Sequence, residues 1–249
     1  MKHNENVCIL LACFLLLVSC QAQLTEIEPE PTLDIITLAV QPELTHWLPK
    51  VAQCADALPN FAIITRITPQ PEEVTSEADL VLRLGERTDE DPFVTVLGTE
   101  DLVVFGGQGV PVTVLSLESL QALFTGAVTH WDQLPEELSV ASVLDETIQI
   151  LSYPEGNALR SLFSETYLES QPIKDEAFIF STNDALEALL DHHPTAIGYG
   201  LASNLTPGEK ILAITGIDQN KTQQYVLAIT ENEPQNLLRQ LLLCLQESQ

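Results

Sequence analysis

Apolar positions from Leu33 onward fall into short continuous runs and longer helical-period stretches in turn, the alternation expected of an α/β protein. Ile35 to Val40 is a short apolar run suited to a buried strand, and Pro42 stands where a turn or helix can open directly after it. Pro49 interrupts the next stretch, so the helix carrying Val51, Cys54 and Leu58 is expected to begin there. Phe61 to Ile67 and Asp79 to Leu84 read as two further strands, separated by the polar, proline-containing segment Thr68 to Glu77. Asp101 to Phe105 reads as another, leading into Gly106, Gly107 and Gly109. That group lacks the spacing of a dinucleotide loop and has no P-loop lysine, so it reads as a flexible crossing strand.

The stretch Leu115 to Leu134 carries the clearest local grammar. Ser116 can cap a helix whose Leu117, Leu120, Leu123 and Phe124 share one face, Gly126 suits the residue just past its end, and Trp131 reads as a core anchor. Thr147 to Tyr153 reads as a strand, and Asn157 as the cap of a helix to Leu168 that buries Leu159, Leu162 and Phe163. Asn183 is expected to cap a helix through Leu186, Leu189 and Leu190 that stops before Pro194. Ala196 to Tyr199, Lys210 to Ile214 and Gln224 to Thr230 read as strands. Pro234 opens a terminal helix carrying Leu237, Leu238, Leu241, Leu242 and Leu245.

The first residues follow a different pattern. Lys2 precedes the apolar run Cys8 to Val18, too short to span a bilayer comfortably, and Leu17, Val18, Ser19 and Cys20 then match a bacterial lipoprotein box. The expectation is a signal peptide over 1–19, lipid on Cys20 and an acidic, proline-containing tether over 20–32 that holds the folded body on the outside of a bacterial cell membrane.

The 249 residues carry a formal net charge of -26, which excludes nucleic acid as a partner and means that any anion site must be built locally. Of five cysteines, Cys8 and Cys13 fall in the signal peptide and Cys20 takes the lipid, leaving Cys54 and Cys244 on two expected helices. They form either a disulfide, worth about 2 to 4 kcal/mol, or a pair of buried thiols.

A helix ending in Phe124 and Gly126, a four-residue step, then Trp131, Asp132 and Leu134 resembles the helix and turn of the phosphate-binding family of extracytoplasmic solute-binding proteins. Ile197, Gly198 and Tyr199 are similar to that family's return strand. The resemblance implies a type 2 periplasmic-binding-protein fold, two-lobed and α/β, with mixed sheets flanked by helices. Lobe 1 would comprise residues 33–108 and 201–249, and lobe 2 residues 109–200. It also implies a small-solute ligand, an ABC transporter permease as partner and no cofactor.

At one junction the chain departs from the family pattern. There the family binds an oxyanion through a strand Arg and a Ser-Gly-Thr triplet at a helix start. Here Glu155, Gly156, Arg160, Leu162 and Phe163 fit the flanks, but Tyr153 stands for the Arg, and Asn157, Ala158 and Leu159 stand for the triplet. In the first-lobe loop, Gln41, Pro42 and Glu43 replace glycine and hydroxyl residues, and Glu43 would repel an anion. Each lost charge-assisted hydrogen bond is worth about 1.5 to 3 kcal/mol, so tight phosphate binding by the family's route is not expected. The candidate ligand contacts are Gln41, Glu43, Tyr153, Gly156, Asn157, Ala158 and Arg160.

Catalytic signatures are sparse. GxSxG, HExxH and nucleotide loops do not occur, and the adjacent His192 and His193 diverge too far to share a metal, so neither an enzyme nor a metal site is expected. The alternative to a transport role is a binding module that contacts another cell-envelope protein.

Overall fold

The computed structural model describes residues 33–69, 77–134 and 147–247, so the expected signal peptide, Cys20 and the tether lie outside the described residues. Leu33–Gln249 cluster as one unit. Strands β1 (Asp34–Val40), β2 (Phe61–Ile67) and β3 (Leu80–Leu84) run parallel, with β1 in the middle. Strand β10 (Gln223–Thr230) lies antiparallel between β3 and β4 (Phe93–Gly106).

Strand β4 ties the two ends of the sheet together. Its first part pairs with β10, and its second part pairs with β8 (Ile197–Leu201) and β9 (Lys210–Thr215), which in turn pairs with β5 (Val114–Ser116). The register shifts between Val226 and Leu227, leaving Leu97 as an extra residue on β4. Two short parallel strands, β6 (Leu151–Ser152) and β7 (Phe178–Ile179), complete the strands among the described residues, and an isolated bridge joins Ile150 to Ile197 of β8.

The helices follow from their caps. A 3-10 turn over Pro42–Trp47 runs into α1 (Leu48–Asp56), whose first turn holds Pro49, where its missing N–H costs nothing. Ser116 accepts from Ser119 N at the start of α2 (Leu117–Thr125), and Gly126 closes that helix at φ 83°, a backbone region that other residues rarely enter. Asn157 accepts from Leu159 N and Arg160 N at the start of α3 (Ala158–Tyr167). Helix α4 (Asn183–His192) is capped by Thr182, not by Asn183: Thr182 has extended backbone angles and its hydroxyl accepts from Ala185 N. Helix α5 (Asn236–Glu247) buries Leu241, Leu242 and Leu245.

Several strands depart from the sequence expectation. β4 begins at Phe93 rather than Asp101, because Gly98 to Asp101, which interrupts the apolar run, still pairs residue by residue with β10. Only Leu151 and Ser152 of the stretch 147–153 are a strand, Thr147 and Ile150 making isolated bridges. Gly107 presses against the segment before β8: its N–H donates to Ala196 O at 3.0 Å, and a Cβ there would sit 2.4 Å from Pro194 O.

Trp131 is fully buried and donates through Nε1 to Thr195 O at 3.2 Å, so it anchors the core as its size suggested. Phe163 of α3 stacks on Tyr199 of β8 at 3.8 Å between ring centroids and 4° between planes. Cys54 of α1 and Cys244 of α5 are joined, their Cα atoms 5.9 Å apart, which ties the last helix to the first. Among the described residues no helix is long and apolar enough to cross a membrane.

Candidate functional site: a cleft at four strand ends

Two parallel strand pairs, β1 with β2 and β6 with β7, end around one cavity. Ile67 closes β2 on its rim, Pro42 and Glu43 follow β1, Tyr153 follows β6, and Phe180 follows β7. The carboxyl ends of parallel strands are where open α/β sheets form ligand crevices. The cavity measures about 440 Å³, within the range of small-molecule sites.

The walls meet through one residue. Asn157 Oδ1 caps α3, accepting from Leu159 N at 2.9 Å and Arg160 N at 3.4 Å, which turns its amide nitrogen outward. That nitrogen donates to Glu43 Oε1. Behind Glu43, Asn204 Nδ2 donates to the Glu43 carbonyl at 2.9 Å. Glu43 is thus held by side chains 114 and 161 residues away, and it is only 5% exposed.

Its second oxygen has no such support. Glu43 Oε2 is buried with no hydrogen-bond partner among the described residues. Burial raises the Glu43 pKa above its usual 4.5, and the bonds from its own backbone N–H and from Asn157 offset only part of that rise. Tyr153 responds to the same surroundings: burial, then the nearby Glu43 charge, push its phenol well above the usual value. Tyr153 packs against Phe180 at 4.4 Å and Tyr199 at 5.7 Å between centroids, so the cavity has an aromatic wall beside its carboxylate. No Lys or Arg is among the described residues lining it.

The other expected contacts lie elsewhere. Gln41 is buried, and its Oε1 accepts from Leu84 N at 2.7 Å, so it braces β1 against β3 and does not line the cavity. Arg160 turns back: Nη1 donates to Tyr153 O at 3.0 Å and Nη2 lies 3.7 Å from Glu155, on the rim of a separate depression that includes Lys174. Gly156 supplies a φ of 79° in the turn before α3, and Ala158 is that helix's half-buried first residue. Glu43, Tyr153 and Asn157 are therefore the three that the fold brings together.

Two features had no sequence signal. Asn204 and Phe180 reach the cavity from separate short elements that no periodicity marks. Beside the cavity, Glu100 of β4 gathers His46 Nε2 at 2.7 Å, Trp47 Nε1 at 2.9 Å and Ser203 Oγ at 2.6 Å. Burial alone raises the Glu100 pKa, but the bonds from His46, Ser203 and Trp47 outweigh it and leave it below 4.5. This cluster resembles a catalytic triad only in composition. His46 Nδ1 also contacts the Glu43 carbonyl, at 3.1 Å, so both ring nitrogens face acceptors, and the serine hydroxyl donates to the carboxylate. Its geometry locks the 3-10 turn before α1 to the turn after β8. Among the described residues no group of three or more His, Cys, Asp or Glu could hold a metal.

Solved structures with the same arrangement decide the fold. A candidate phosphate ABC transporter substrate-binding protein from Clostridium perfringens, with bound phosphate, superposes at a TM-score of 0.70 with 15% identity, over 85% of this chain and 92% of that one. An ABC-type phosphate transport receptor from Vibrio cholerae matches at 0.63 with 14% identity, over 85% and 93%.

The fold is that of the type 2 periplasmic binding proteins.

The same periplasmic-binding-protein fold serves in regulators, as in the CcmR regulatory domain of Synechocystis PCC6803 in complex with 2-PG, which matches at 0.60 with 13% identity over 86% and 97%. No protein-family profile and no curated sequence matches the chain. Identities this low fix the architecture, and the ligand must come from the cleft itself.

Proposed function

We propose that the chain is an extracytoplasmic solute-binding protein, anchored by lipid on Cys20, that captures a small solute in the Glu43–Asn157 cleft and delivers it to an ABC transporter permease. Capture, not catalysis, is its task. The lobes 33–108 with 201–249 and 109–200 close on the solute about the crossing strands.

The single observation that carries this reading is the cavity at the carboxyl ends of β1, β2, β6 and β7, with the N-terminus of α3 in its wall. The fold shared with phosphate-transport receptors supports it, and Glu43 sets its limit. The helix-end amides that an oxyanion would use already donate to Asn157 Oδ1, the amide nitrogen of Asn157 is turned to a buried carboxylate, and no cation among the described lining residues offsets the repulsion. Phosphate is therefore not the cargo. Calorimetry with neutral, cationic and anionic solutes tests the proposal: saturable binding of one class is expected, and silence across all of them contradicts it.

One observation favours a second reading. The two walls are already joined by Asn157 and Glu43, as suits a clamp that has become a binding module for another envelope protein. Silence with every solute is the result that selects it.

A further inference from the structure

The cavity's chemistry is that of a receptor for positive charge. Glu43 lines it with one oxygen held by a neutral amide and the other, Oε2, buried with no hydrogen-bond partner among the described residues. A buried carboxyl oxygen left in that state is costly, and a ligand N–H removes the cost. Tyr153 and Phe180 form the adjoining wall, their centroids 4.4 Å apart, and aromatic faces attract cations through their quadrupole. The only cationic side chain on α3's first turn, Arg160, is drawn away by the Tyr153 carbonyl, so among the described residues no cationic side chain lines the cavity beside Glu43. The formal net charge of -26 concentrates cations around the whole molecule and repels anions.

We infer that the cleft takes a small organic ammonium ion, whose N–H donates to Glu43 Oε2 while its carbon skeleton lies on Tyr153 and Phe180. The inference rests on the cleft being a solute site. A bare metal ion fits less well: Glu43 is the single carboxylate among the described lining residues, and among the described residues no group of three or more His, Cys, Asp or Glu could hold a metal. An oxyanion is excluded by the same carboxylate that selects the amine. Specificity for N–H comes from the hydrogen bond, since aromatic contact and net charge also attract a quaternary ammonium.

Calorimetric titration of the full chain, purified in detergent, with ethanolamine, putrescine, agmatine, tetramethylammonium, glucose and inorganic phosphate tests this. At least one of the three N–H-bearing amines binds saturably, and tetramethylammonium binds about tenfold more weakly or not at all, because it cannot donate to Oε2. Glu43→Gln weakens the amine by about tenfold or more while circular dichroism shows it folded. The comparison with tetramethylammonium needs no variant and stands if that protein fails to fold. Silence with all three amines overturns the inference. Binding of glucose alone overturns it too, yet leaves the solute-binding reading intact. Tight binding of phosphate overturns both the inference and the altered anion site beneath it.

Discussion

Asn157 donates its side-chain N–H to Glu43 while its side-chain oxygen holds the first amides of α3, so a single amide both starts a helix and bridges the cleft. Removing it undoes both. Asn157→Ala loses a cap worth about 1 kcal/mol and leaves a second Glu43 oxygen without a donor, a further cost of about 1 to 3 kcal/mol. Urea denaturation is expected to show a loss of about 2 to 4 kcal/mol; a loss below that of an ordinary cap would mean that the bridge contributes nothing.

Asn157→Asp separates the two roles. Aspartate caps as well as asparagine, but it places a second carboxylate against Glu43 and cannot donate when ionised. The variant is expected to match the parent at low pH, where the pair holds protons, and to lose stability at neutral pH. Equal stability of variant and parent at neutral pH would contradict the bridge.

Glu43 and Glu100 carry opposite pH dependences. The folded-state pKa of Glu43 lies above 4.5, so its contribution to stability is complete below that value and is lost as pH rises through the raised folded value. Glu43→Gln, which does not ionise, is therefore expected to melt higher than the parent at pH 7, with the gap closing on acidification. Glu100 is shifted downward, so its contribution is complete above 4.5 and is lost as pH falls through the depressed folded value. Glu100→Gln is expected to melt lower than the parent at pH 7, again with a gap that closes in acid. Thermal melts of both variants across pH check the signs, and two gaps of the same sign would contradict the assignment.

The bond between Cys54 and Cys244 closes a loop with a sequence separation of 190, so it chiefly restricts the unfolded chain. The Cys54→Ala, Cys244→Ala double variant is expected to lose about 2 to 4 kcal/mol in denaturant, with α5 exchanging its amide hydrogens first. Unchanged stability would mean that the loop term is cancelled elsewhere.

What the sequence made legible was mostly local. Ser116, Gly126 and Asn157 act on amides within a turn of themselves, and the structure places each where its chemistry suggests. The first half of β4 was not legible, because Phe93 to Leu97 is separated from Leu102 by polar residues whose strand character comes only from pairing with β10. β5 and β7 are three and two residues long, too short for a period to show. At the cleft, the family resemblance pointed to Glu43, Tyr153 and Asn157 together. It also pointed to Gln41 and Arg160, whose side chains long-range partners and a nearby carbonyl redirect away from the cavity. Asn204 could not be read at all, since its bond to the Glu43 carbonyl spans 161 residues.

The central claim is that the oxyanion grip of this cleft has been replaced by a carboxylate held by an amide. Titrating the unmodified protein with inorganic phosphate in a calorimeter tests it most directly. No saturable heat is predicted; tight, saturable binding of phosphate would contradict the account.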